Sequence, residues 1–109
     1  MSVQLPKPIE LYMSAENAHD TDALAACFAP DATVKDEGRT RKGLKDIAAW
    51  RRETAEKYQH TVEPIAIAEQ AGKTVVTTKL SGNFPGSPIT LNFAFQLRND
   101  KITSLDIRS

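Results

Sequence analysis

The sequence predicts an α+β domain, 1–109, in which three helices come first and a curved antiparallel sheet follows, the helices packed on its concave face. Three observations predict it. Apolar residues recur at helical spacing through the first sixty positions, and from Thr61 the pattern changes to period two. Three turn signals then cut the second half into four strands joined as hairpins. Helices covering the open side of a curved sheet enclose a cone, whose wide end is the place for a ligand.

Bulk composition narrows the function classes. A chain of 109 residues buries roughly 65% of its unfolded surface, enough for one core without staples. Fourteen basic and fourteen acidic side chains cancel, so nothing at whole-chain level attracts nucleic acid or an anionic membrane. Apolar runs fall well short of the roughly 18 residues of a spanning helix. Met1–Lys7 lacks a hydrophobic signal core, and the expectation is a soluble cytoplasmic protein. The single cysteine, Cys27, cannot close an internal disulfide and sits in the apolar run Ala25-Ala26-Cys27-Phe28, as a buried inert thiol rather than a nucleophile.

In chain order, Pro8 suits a first helical turn and Glu10 the positive end of a helix dipole. The first helix runs from Pro8 to Ala18 with Ile9, Tyr12, Met13 and Glu16 on one stripe, apolar except for Glu16. Asp20 or Thr21 caps a short second helix through Ala23, Leu24, Cys27 and Phe28, which Ala29-Pro30-Asp31 ends. The strand Ala32–Asp36 follows, ending on a carboxylate before the turn Glu37-Gly38, with a short strand at Arg39–Arg41.

The third helix spans Leu44–Tyr58. Leu44, Ile47, Thr54 and Tyr58 face the core, together with either Trp50 or Arg51. The turns Ala71-Gly72-Lys73, Gly82–Pro88 and Arg98–Lys101 separate the four long strands. Val76, Thr78 and Leu80 turn inward, then Leu91, Phe93, Phe95 and Leu97, then Thr103, Leu105 and Ile107. The opposite face of the sheet meets water or a second subunit.

Several stretches carry a resemblance: Asn17–Leu24, Cys27–Asp36, Gly43 with Ile47 and Trp50, and Asp100-Lys101-Ile102. In these the chain, from about Ile9 onward, resembles the NTF2-like (cystatin-like) superfamily, in particular its SnoaL-like and ketosteroid-isomerase-like branch. That resemblance implies a cone with a hydrophobic pocket, commonly a homodimer through the outer sheet face. It implies either an isomerase or polyketide-cyclase-like enzyme, or a non-catalytic ligand-binding or dimerisation module of the same superfamily.

Within that branch, Tyr12 falls where ketosteroid isomerases carry a tyrosine that donates to the dienolate. Asp36 falls where an aspartate shuttles the proton. The second oxyanion donor of those enzymes would fall on about Leu91, and a supporting tyrosine on Arg51. Losing one such donor costs about 100- to 1000-fold, so the resemblance favours acid/base proton transfer on another small enolisable carbonyl compound over steroid isomerisation. A SnoaL-like cyclase needs one placed carboxylate, because its substrate carries its own electron sink. No cofactor is implied.

The candidate catalytic residues are therefore Asp36 as base and Tyr12 as donor, although a turn carboxylate and a core aromatic are the plainer readings of each. The candidate substrate-binding residues are Glu16, Trp50, Arg51, Tyr58, Phe84, Leu91, Phe93, Phe95 and Leu105, around a small apolar molecule. Glu16 is either a second pocket carboxylate or a residue at the stripe's end reaching solvent. Arg51, if it enters the cone, lowers the pKa of Asp36 and favours an anionic ligand. Phe84, in a loop with Pro85, Gly86 and Pro88, suits the rim. His19 and His60, 41 positions apart, lie outside any metal-type spacing. Glycine-rich phosphate loops, GxSxG and HExxH are all missing, so nucleotide, serine hydrolase and zinc protease readings have no support.

Overall fold

The computed structural model describes residues 4–108, without the side chain of Tyr58. Three helices, α1 (Lys7–Ala18), α2 (Thr21–Ala25) and α3 (Leu44–Tyr58), alternate with and precede six strands. These are β1 (Phe28–Asp36), β2 (Arg39–Lys42), β3 (Thr61–Gln70), β4 (Lys73–Ser81), β5 (Ile89–Arg98) and β6 (Lys101–Arg108). They form one sheet in the order β2-β1-β6-β5-β4-β3.

The junctions between elements are set locally. His19 adopts a left-handed conformation that ends α1, and the Asp20 carboxylate accepts from the Ala23 N–H at 3.0 Å to start α2. Glu37 and Gly38 both have positive φ, as do Ala71 with Gly72 and Asn99 with Asp100. Two-residue links with this geometry match strand twist, which is why three tight hairpins follow. Gly43 (φ 85°) lets the chain leave β2 for α3 while its N–H bonds the Ala32 carbonyl at 2.8 Å. Asn17 clamps α1 to β3 from both sides, accepting from Val62 N at 2.7 Å and donating to Val62 O at 3.0 Å.

Ile9, Leu24, Val34, Ile47, Val76, Phe95, Ile102 and Leu105 sit in a core between the helices and one sheet face. Tyr12 packs edge-on against Phe28, Phe93 and Phe95 at centroid distances of 6.0, 6.3 and 5.3 Å. Cys27 is buried, its thiol directed at the Ala23 carbonyl and its pKa raised by desolvation. Among the described residues no helix is long and apolar enough to cross a membrane.

Four expectations need correction. The sheet is mixed rather than wholly antiparallel, because β6 returns beside β1 in the same direction. α2 stops at Ala25, and Phe28 opens β1, its backbone paired with Ile102; an irregularity before Thr33 absorbs the Ala29–Asp31 stretch that resembled a breaker. A bulge between Gln96 and Leu97 shifts the β5–β6 register, so Ile102 and Leu105 are the buried pair while Thr103 is only half-buried and bonds Gln96 O. Finally, Trp50 and Arg51 are both buried, at 4% and 1% exposure. Neighbours on a helix point about 100° apart, and α3 is covered on two sides.

Candidate functional site

A cavity of about 440 Å³ opens between α1, α3 and the concave face of β4–β6. Its body is apolar, formed by Leu80, Phe84, Ile89, Leu91, Phe93 and Ile107. The Gly82–Pro88 loop brings Phe84 and Pro85 to it. That loop is held by Gly82 N–H on Ser87 Oγ at 2.9 Å and by Asn83 Nδ2 on Gln59 Oε1 at 3.1 Å. Polar groups enter at two places.

The first place is Asp36. As the last residue of β1 before the Glu37-Gly38 turn, it extends past the sheet toward α3, where Trp50 Nε1–H donates to Asp36 Oδ2 at 3.0 Å. Half-burial raises its carboxyl pKa above the usual value. The Trp50 bond and a backbone bond at Glu37 oppose that rise, while the charges of Glu37 and Glu16 add to it. No ion pair is formed by Asp36 among the described residues; Arg41, which shares an adjoining cleft with it, pairs with Glu53 at 3.0 Å and Asp46 at 3.8 Å. Asp36 is thus a carboxylate held by neutral donors, the Trp50 indole and the Glu37 backbone, at the edge of an apolar space.

The second place is Glu16. It does not reach solvent past α2, being 2% exposed on the inner face of α1. Glu16 Oε1 lies 2.9 Å from His60 Nε2 and 3.4 Å from Arg51 Nη1, and Arg51 Nη1 lies 3.0 Å from the same imidazole nitrogen. One proton must occupy the short contact between Glu16 Oε1 and His60 Nε2. Arg51 Nη1 also donates to Thr54 Oγ1 (3.0 Å) and Nη2 to the Glu16 carbonyl (3.3 Å). His19 Nε2–H donates to the His60 carbonyl at 3.0 Å. Arg51 therefore enters the fold but pairs with Glu16 and His60, away from Asp36.

The structure distributes the expected site residues as follows. Asp36, Glu16, Trp50, Phe84, Leu91 and Phe93 line the cavity. Tyr12, Arg51, Phe95 and Leu105 lie outside its lining. Arg51 is behind Glu16 and His60, and Phe95 and Leu105 belong to the core layer beneath. Tyr12 is fully buried, and desolvation pushes its pKa well above the usual value, with the charge of Glu16 and a hydrogen bond to the Glu16 side chain adding to the rise. The Tyr58 side chain is outside the described residues. Sequence reading missed His60, whose only signal was a histidine at a strand start. It also missed Thr54, Pro85 and Ile89 as cavity lining and placed Glu37 only in a turn. No three His, Cys, Asp or Glu side chains gather to hold a metal ion among the described residues.

Comparisons with known proteins agree with this architecture. The SnoaL-like domain model matches residues 9–105. A Sinorhizobium meliloti protein provisionally described as a polyketide cyclase is 38% identical over 95% of each chain, with a TM-score of 0.91. A Catenulispora acidiphila protein with a ketosteroid isomerase-like fold, solved with trimethylamine, is 21% identical over 97% of this chain and 87% of the other, with a TM-score of 0.82. SalBIII, an epoxide hydrolase/cyclase-like enzyme of pyran ring formation in salinomycin, is 19% identical over 94% and 87%, with a TM-score of 0.79. The last two likenesses concern the fold. No curated protein matches the chain. The helices, the mixed sheet, the matched model and the 38% identical neighbour together make this chain a member of the SnoaL-like family.

Proposed function

We propose that this SnoaL-like protein is a cofactor-free enzyme of isomerase or cyclase type, in which Asp36 removes and returns a proton on a small enolisable carbonyl compound. The observation that carries the reading is Asp36 itself: a carboxylate at the wall of an apolar cavity, bonded by Trp50, with no ion pair among the described residues and a pKa raised by desolvation. A base of that kind gains driving force for proton transfer near neutral pH. The alternative module, a cone that stores a ligand, fits less well. Its mark is a filled cone or a salt-bridged Asp36; the open cavity and the lack of an Asp36 ion pair among the described residues support the enzyme, while Tyr12, off the lining, adds no support to it.

Tyr12 is outside the cavity lining, so this reading does not rely on it as the donor to the developing enolate. The substrate must delocalise its own charge, as a 1,3-dicarbonyl compound does. The small-residue outer face around Ala66, Ala68, Val75 and Ala94 is proposed as a homodimer surface, to be checked by light scattering across protein concentration. The activity test is hydrogen–deuterium exchange at the α-carbon of cyclic 1,3-diketones in D2O, followed by proton NMR. Wild type accelerates exchange of at least one diketone, and Asp36→Asn, with an unchanged circular dichroism spectrum, returns it to the buffer rate. Equal exchange by both proteins contradicts the proposal.

A further inference from the structure

We infer that Arg51 is a positioning residue for Asp36: its buried guanidinium fixes the rotation of α3 and, through Trp50, its neighbour on that helix, holds the Asp36 carboxylate in place at the cavity wall. The role rests on the reading of Asp36 as the base, but it is read out at the Trp50 indole, without turnover.

A helix that packs through small side chains is held loosely about its own axis. Beyond Ile47, the described half-buried residues of α3 are Ala48, Ala49, Thr54 and Ala55, and the buried ones are Trp50 and Arg51. Packing sets α3 against α2, β1 and β2. Apolar contact is non-directional, so it fixes separation better than rotation. The Trp50 bond depends on rotation. At a side-chain radius of about 5–6 Å, a turn of about 15° around the helix axis moves an atom by roughly 1.5 Å. A displacement of that size takes the Trp50–Asp36 bond, 3.0 Å long, out of hydrogen-bonding range.

Arg51 supplies the missing direction. It is the largest fully buried side chain among the described residues, and its planar fork reaches from α3 to α1 and the start of β3. Nη1 pairs with Glu16 Oε1 at 3.4 Å and lies 3.0 Å from His60 Nε2, while Nη2 donates to the Glu16 carbonyl at 3.3 Å. On its own helix, Nη1 donates to Thr54 Oγ1 at 3.0 Å, and that hydroxyl donates back to the Arg51 carbonyl at 3.2 Å.

The frame that Arg51 grips is itself braced. The Tyr12 hydroxyl bonds the Glu16 side chain, His19 bonds the His60 carbonyl, and Asn17 clamps α1 to Val62. A guanidinium among several fixed acceptors has one favourable orientation, which an ammonium in its place does not impose. Trp50 and Arg51 leave the helix about 100° apart, so holding one sets the direction of the other.

The charged and titratable groups around Asp36 are Glu16 and His60 in the cavity wall, Glu37 in the turn, and Arg39, Arg41, Glu53 and Lys57 in the adjoining cleft. Arg51→Lys leaves all of these in place and keeps its own positive charge, so it tests the fork alone. Trp50 is the sole tryptophan, and nitrogen-15-labelled protein therefore shows one indole N–H signal. Asp36→Ala gives the position of that signal without the carboxylate.

In Arg51→Lys the indole signal moves most of the way to the Asp36→Ala position. The Asp36 midpoint, read by carbon-13 NMR, rises as it does in Trp50→Phe, because the indole bond opposes the upward shift. Combining Arg51→Lys with Trp50→Phe raises it no further than Trp50→Phe alone. Thr54→Val, a milder change that removes the acceptor of Nη1 on α3, moves the indole signal the same way, and Thr54→Ser restores it. An indole signal at its wild-type position in Arg51→Lys, or in Thr54→Val should the lysine variant not fold, overturns the inference. So does a double variant whose midpoint exceeds that of Trp50→Phe. Neither readout involves diketone exchange, so failure here and failure of the catalytic reading are told apart.

Discussion

Two carboxylates of the cavity lining, Asp36 and Glu16, are the same kind of acid placed in opposite surroundings. Glu16 is buried against a guanidinium and an imidazole, which hold it in place and commit one of its oxygens. Asp36 is less buried but has only an indole N–H and a backbone contact, so the cost of desolvation is not repaid by a cation. The difference separates a carboxylate tied into a buried network from one left at the edge of the cavity. A carboxylate that is desolvated and held by neutral donors accepts a proton readily.

The comparison can be broken most forcefully at Arg51. Arg51→Met leaves Glu16 buried without its cation and is expected to cost about 3–5 kcal/mol in urea unfolding. Combining it with Glu16→Met recovers part of that loss. If Arg51→Met unfolds at the wild-type urea midpoint, the Glu16 wall is not a structural ion pair.

Asp36→Asn should have the reverse profile, with a small effect on stability and a loss of diketone exchange of about 100- to 10,000-fold. Tyr12→Phe is expected to lower exchange only a few-fold, because its hydroxyl is off the cavity lining, against the loss of about 100- to 1000-fold expected of a true oxyanion donor. Kinetics on the two variants side by side decide between the Asp36 wall alone and an Asp36–Tyr12 pair.

pH sharpens the contrast. The folded pKa of Asp36 lies above its unfolded value, so the native state binds more protons between the two. Stability contributed by Asp36 is therefore present below the ordinary carboxylate value of about 4 and is lost as pH rises through the raised value. Exchange activity changes in the opposite sense, increasing over that interval as the base ionises. Trp50→Phe removes the N–H that opposes the shift, so the activity midpoint should move further up. The smallest effect is expected at the rim: Glu53→Gln breaks an exposed pair with Arg41 and should leave stability and exchange unchanged within error.

Much of this architecture was legible because it is written in periodicity and turn chemistry. The stripe of α1, the span of α3 and the hairpins at Ala71-Gly72 and Asn99-Asp100 follow from local residues alone. Asp36 was legible for the same reason, as the last residue before a tight turn. What escaped was set by tertiary contact. Glu16 and His60 are 44 positions apart and meet only because Asn17 clamps α1 to β3, so neither carries a local signature of the other. Helical spacing left Trp50 and Arg51 as alternatives because it assumes one buried face, and α3 has two. The inward residues of β6 were misassigned at Thr103 because a bulge is a register event between strands, invisible along either one.

The central claim is that Asp36 is the proton-accepting carboxylate of this cavity. Carbon-13 NMR titration of aspartate-labelled protein, with the Asp36 carboxyl assigned by its disappearance in Asp36→Asn, tests it most directly. The expected result is an Asp36 midpoint above the ordinary value of about 4, moving higher in Trp50→Phe. A midpoint at or below that value would contradict the claim.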